Sequence, residues 1–203
     1  MPTSPAAIAN DGNAMNEGSQ PIEVAHSRIN RLNRSGKTST GKELARLVSF
    51  DFLDTDHWIE EKNNGKISKI FQDNGEAFFR EQEKEAVKWL KTRDHCVISI
   101  GGGAWVEEEN RNALLGMGWC VWLKVSAEKA WQRIEGHLSQ RPLLSKVGNP
   151  LETMKSMLTD RAPFYSMAHV SFNTADKNPK EVALEIFRTL KEEHPFDLPP
   201  VQK

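Results

Sequence analysis

A chain of 203 residues with 27 Lys and Arg against 28 Asp and Glu, a formal net charge of -1, can bury one core but is too short for two ordinary catalytic domains. That balance gives no global attraction to nucleic acid or to an anionic membrane, so small molecules are the expected partners and any anion site must be built locally. Cys96 and Cys120, the two cysteines, lie in short apolar runs rather than a disulfide framework, and no run approaches the roughly 20 apolar residues of a membrane span, so a soluble, cytoplasmic protein is expected.

Residues 1–25 are rich in Ala, Asn, Ser, Pro and Gly and read as a disordered tail. A weak first strand is expected at 28–31, inside a largely polar segment, followed by a helix over 37–47 and a strand over 50–53. A helix over 76–90 precedes the apolar strand 96–100, and the acidic run Glu107-Glu108-Glu109 suits a solvated helix start. A strand over 119–123 and helices over 126–134 and 151–167 follow, the latter interrupted near Pro163, then a strand over 170–172 and a helix over 179–190 that opens on Pro179. Residues 136–150 carry Gly, Ser, Arg and Pro without apolar periodicity and read as a long loop, the kind that serves as a mobile lid. Residues 193–203, with Pro195, Pro199 and Pro200, read as a loose end. The alternation predicts an α/β fold with a parallel sheet covered by helices on both faces, in one domain over 26–192.

Ser35-Gly36-Lys37-Thr38-Ser39-Thr40-Gly41 opens the first helix and matches the second half of a phosphate-binding loop. Helix-start N–H groups attract phosphate oxygens, Lys37 can reach the β and γ phosphates, and the Thr38 hydroxyl can ligate Mg²⁺. Read alone, the same residues also suit an ordinary helix start. In Phe52-Leu53-Asp54-Thr55-Asp56 two acids end an apolar run, at the carboxyl edge where open α/β sheets bind ligands; helix capping is the competing reading. Gly101-Gly102-Gly103, directly after a strand, exposes backbone N–H groups to a close ligand or makes a tight turn. Phe79-Arg80, Arg141-Pro142-Leu143-Leu144 and Arg161-Ala162-Pro163-Phe164-Tyr165 complete the series. The six tryptophans read as packing residues, with Trp58 and Trp105 the two that could line a pocket, and the six histidines lack zinc-ligand spacing.

In this order and spacing the six motifs resemble shikimate kinase, over roughly residues 35–190. The resemblance implies a three-layer P-loop kinase fold with a five-stranded parallel sheet, and ATP- and Mg²⁺-dependent phosphorylation of the shikimate 3-hydroxyl on the route to aromatic amino acids. It implies nucleotide contacts at Arg34, Ser35, Gly36, Lys37, Thr38 and Ser39, with the lid arginine Arg141 over the phosphates and Asn178 and Pro179 at the adenine. Thr38 and Asp54 fall to the metal, and Asp56 to the shikimate hydroxyls and the reacting proton. Arg80 and Arg161 fall to the substrate carboxylate, which arginine forks suit, and Gly101, Gly102 and Gly103 to the floor of the ring. A monomer without nucleic-acid or membrane partners is expected.

The sequence departs from the family at its start. The full pattern G-x-x-x-x-G-K-S/T puts glycine at position 31, where Arg31 stands; Arg34 adds bulk, and the first strand is polar where a central strand should be apolar. A weakened ATP site is therefore expected. The alternatives are a gluconate-type small-metabolite kinase and a catalytically impaired regulatory homologue.

Overall fold

In the computed structural model the described residues are 22–25, 36–134 and 149–193. Five strands form one parallel sheet in the order β2-β3-β1-β4-β5: β1 (Ile22–Ala25), β2 (Asp51–Asp54), β3 (Cys96–Ile100), β4 (Trp119–Lys124) and β5 (Val170–Asn173). The helices are α1 (Lys37–Val48), α2 (Thr55–Lys62), α3 (Ile67–Leu90), α4 (Gly102–Val106), α5 (Glu108–Leu115), α6 (Ala127–Ile134), α7 (Pro150–Tyr165) and α8 (Pro179–Glu193).

The central strand corrects the sequence reading. It is Ile22-Glu23-Val24-Ala25, paired through Ile22 with Val97 on one side and Trp119 on the other, whereas 22–25 were assigned to a disordered tail and the strand to 28–31. Two β-branched residues in alternation favour a strand, and neighbours on both edges satisfy the backbone of so short a segment. Residues 28–31 lie outside the described residues, as do 1–21 and 194–203.

Period-two alternation divides the sheet into two apolar faces. Val97, Val121, Leu123 and Phe172 pack with Leu44 and Val48 of α1 and Ile186 and Leu190 of α8. Cys96, Ile98, Ile100 and Cys120 face the other way, onto Val87 and Leu90 of α3, Trp105 of α4, Leu114 of α5 and Tyr165 of α7. Both cysteines are buried, and neither forms a disulfide among the described residues. The tryptophans chosen as possible pocket residues pack instead: Trp105 is wholly buried, and Trp58 stacks on Trp89 at 5.4 Å between ring centroids.

Several helices differ from expectation. The sequence does not predict α2, α4 or the first half of α3, because segments of eight residues, five residues and about two turns carry too little periodicity to separate from loops. α3 bends at Gly75, whose φ of 79° and ψ of 179° are non-helical. α7 runs through Pro163 to Tyr165, and its cap Asn149 and first residue Pro150 had been counted in the lid. No helix among the described residues is long and apolar enough to cross a membrane.

Candidate functional site

The carboxyl ends of β2 and β3 and the start of α1 meet at one edge of the sheet. Gly36 caps α1 with φ 87° and ψ -24°, a left-handed conformation that a β-carbon penalises, and the helix therefore opens without a side-chain cap. Its first-turn N–H groups, at the positive end of a 12-residue helix, face outward for an anion. The Lys37 side chain is 2 % exposed and its ammonium donates to the Ile100 carbonyl at 3.0 Å. Thr38 Oγ1 donates to Asp54 Oδ2 at 3.1 Å, joining α1 to the end of β2.

Asp54 bears out the capping reading and also joins β2 to α1. Its Oδ1 accepts the Asp56 N–H at 3.0 Å as the cap of α2, while Oδ2 holds Thr38. Asp56 stands in the first turn of α2 rather than on the strand, and its carboxylate reaches the glycine turn: a β-carbon at Gly101 would lie 3.0 Å from Asp56 Oδ1 and 3.3 Å from Glu83 Oε1. Thr55 ties the turn down, its Oγ1 accepting the Gly101 N–H at 3.1 Å and donating to the Ser99 carbonyl at 3.3 Å.

Arg80 stands in the second half of α3, after the Gly75 bend. Its side chain is mostly buried; Nη1 donates to Glu83 Oε2 and Nη2 to Glu76 Oε1. Glu83 also accepts the Ala104 N–H. Burial raises the Glu83 carboxyl from 4.5 to about 7, Asp56 pushing the same way and Arg80 opposing.

Gly102 and Gly103 begin α4, and α7 is pinned to that turn. Tyr165 Oη donates to the Gly102 carbonyl at 3.4 Å, Trp105 Nε1 donates to the Phe164 carbonyl at 2.8 Å, and Arg111, bonded to the Trp105 and Val106 carbonyls, lies over the Phe164 ring. Arg161, half-buried, precedes Tyr165 by one helical turn on the same side of α7 and makes no ion pair among the described residues. Asn178 and Pro179 lie apart from this cluster at the start of α8. Asn178 Oδ1 accepts from Lys180 and Glu181 N–H, and Glu181 accepts from Asn178 N–H, a reciprocal cap that occupies the asparagine side chain. Ser39 sits in the first turn of α1. Arg31, Arg34, Ser35 and Arg141, with residues 136–148 of the expected lid, lie outside the described residues.

The profile of the family described as shikimate kinase matches residues 34–191. The chain belongs to the shikimate kinase family. It is 41% identical over 155 residues to the shikimate kinase of Thermus thermophilus, covering 76% of this chain and 84% of that one. Among solved structures it is similar to the shikimate kinase of Acinetobacter baumannii in complex with shikimate, with a TM-score of 0.79, 32% identity, and coverage of 86% of this chain and 94% of that one. A gluconokinase from Sinorhizobium meliloti shares the fold alone, at 14% identity, a TM-score of 0.51, and coverage of 88% and 98%. As a shikimate kinase the chain is a phosphotransferase whose acceptor is shikimate and whose co-substrate is ATP. The family match begins at residue 34, so Arg31 and β1 precede it.

Three side chains of this shikimate kinase site escaped the sequence reading: Glu83, Glu76 and Thr55. Glu83 had a signal, since it continues the apolar stripe of Phe79, Ala86, Val87 and Leu90, where an acid must find a partner. Thr38 Oγ1 and the Asp54 carboxylate are hard oxygen donors of the kind Mg²⁺ takes. Ser99, opposite Asp54 in the β2–β3 register, adds a buried Oγ that has no hydrogen-bond partner among the described residues. These residues fit that ion.

Proposed function

We propose that the reaction is transfer of the γ-phosphoryl group of ATP to the 3-hydroxyl of shikimate, within a kinase domain whose start moves from 26 to 22 with β1 and whose lid shortens from 136–150 to 136–148 with the cap of α7. The observation that carries this reading is a convergence on two adjacent residues: Lys37 of α1 reaches the Ile100 carbonyl, and Asp56 of α2 reaches Gly101. The phosphate-handling cation and the acid assigned to the acceptor therefore meet at one turn from separate helices.

In this reading the nucleotide phosphates lie against the α1 start, contacted by Arg34, Ser35, Gly36, Lys37, Thr38 and Ser39, with Arg141 above and the backbone of Asn178 and the Pro179 ring at the adenine. Lys37 exchanges its neutral carbonyl for the developing negative charge on the γ-phosphate oxygens, the term that dominates phosphoryl transfer. Asp56 accepts the hydroxyl proton as the new O–P bond forms and the β–γ bridge bond breaks. Arg80 and Arg161 grip the substrate carboxylate, and Gly101, Gly102 and Gly103 floor the ring. Thr38 and Asp54 would hold Mg²⁺, which would supply positive charge to offset that of the phosphates. The same reading has the enzyme act as a monomer in the cytoplasm.

An ADP-release assay with shikimate, quinate and gluconate side by side tests the reading. Turnover should be largest with shikimate and absent with gluconate. Arg31, where the loop pattern has glycine, motivates a second reading, an impaired regulatory homologue; ATP-dependent thermal stabilisation with no ADP release on shikimate would select it.

A further inference from the structure

Arg80 is held at both guanidinium ends by carboxylates of its own helix, and the two acids differ in surroundings. Glu83, on Nη1, has a side chain only 4 % exposed and a second bond to the Ala104 N–H. Glu76, on Nη2, has a side chain 54 % exposed. It directly follows the Gly75 bend, so the helix preceding it does not continue under its side chain.

We infer that Glu76 is an internal stand-in for the substrate carboxylate, occupying the outer side of Arg80 in the empty enzyme and giving it up when a carboxylate-bearing acceptor arrives. This rests on the reading of Arg80 as part of the acceptor clamp. A carboxylate binds arginine best through two parallel N–H bonds, and here each Nη already donates to an acid of α3. Like-charge repulsion from these two acids favours an incoming carboxylate that replaces one of them. Breaking the Glu83 pair would strand a buried charge, whereas the solvent-facing Glu76 pair is cheap to release. A neutral polyol brings nothing to replace Glu76 and leaves its pair with Arg80 in place. The contact thus sets acceptor affinity and favours carboxylic acids.

Glu76→Gln and Glu76→Ala, measured in the full chain by shikimate calorimetry and by initial rates at saturating ATP, test this. The Kd and KM for shikimate should fall about two- to fivefold, the range that an exposed pair converts to at 1.4 kcal/mol per tenfold, while the KM for ATP stays put. Unchanged or weaker shikimate binding in both variants overturns the displacement. A merely structural role for Glu76 would lower the melting temperature and weaken binding rather than tighten it. Arg80→Ala separates this inference from the reading beneath it. If that variant binds shikimate as the parent does, the clamp falls and the inference with it; if it binds weakly while the Glu76 variants are unchanged, only the displacement falls.

Discussion

The ammonium of Lys37 and the carbonyl of Ile100, 3.0 Å apart, tie the first residue of α1 to the last residue of β3 in a nearly solvent-free position. A buried cation facing a neutral acceptor costs stability, because no opposite charge among the described residues repays its desolvation, and the phosphate role proposed for Lys37 accounts for that cost.

Lys37→Met should accordingly separate activity from stability. Loss of one preorganised charge at the γ-phosphate predicts a fall in kcat of about 10²–10³. The methionine fills the same space without the desolvation cost, so the melting temperature should hold or rise by about 2–4 °C. Retained turnover, measured by ADP release, would remove Lys37 from the mechanism.

Asp54→Asn isolates the metal role from the cap. Asparagine caps a helix as well as aspartate, so α2 should persist and the unfolding free energy should be unchanged within about 0.5 kcal/mol. The variant loses one negative charge beside Thr38, so the Mg²⁺ concentration for half-maximal activity should rise, by roughly tenfold on the scale of a ligand-shell change. An unaltered Mg²⁺ titration would show that Asp54 serves only the cap and the Thr38 bond.

The acceptor side is probed at Gly101. Alanine there brings a β-carbon 3.0 Å from Asp56 Oδ1 and 3.3 Å from Glu83 Oε1, close enough that both carboxylates must shift. Because small displacements of positioning groups cost up to about 10²-fold, Gly101→Ala should raise the KM for shikimate roughly tenfold or more, with the KM for ATP little changed. Equal effects on both substrates would place Gly101 outside the acceptor pocket.

How far the sequence displays this architecture follows from which residues carry their own signal. Cys96–Ile100, buried on both faces, is an uninterrupted apolar run and could be read to the residue, and Pro179 marks the start of α8 through its fixed φ. β1 could not: four residues with an acid among them become a central strand only because β3 and β4 pair on either side. Asp54 was legible as a cap, but not its bond with Thr38, since its two oxygens are divided between α2 and α1 only in three dimensions. The Arg80–Glu83 pair lies at plain i, i+3 spacing, yet its burial depends on Ala104 and Asp56 from elements far along the chain.

Glu83 also gives the fold a pH dependence whose sign can be worked out. Its carboxyl titrates at about 7 in the folded protein against 4.5 as the ordinary value, chiefly because burial disfavours the anion. The folded state therefore holds the proton more tightly than the unfolded chain, so this group's contribution is complete below about pH 4.5 and is lost as the pH rises to about 7. At 1.36 kcal/mol per pKa unit the total is on the order of 3 kcal/mol. Glu83→Gln keeps an oxygen acceptor for Arg80 but exchanges no proton. Urea unfolding of both proteins at pH 4.5, 6 and 7.5 should show similar stabilities at the lowest pH and a variant that gains steadily on the parent as the pH rises. A gap independent of pH would mean that Glu83 keeps one protonation state throughout, and the buried carboxyl beside Asp56 would then have to be ionised and held by Arg80 and the Ala104 N–H.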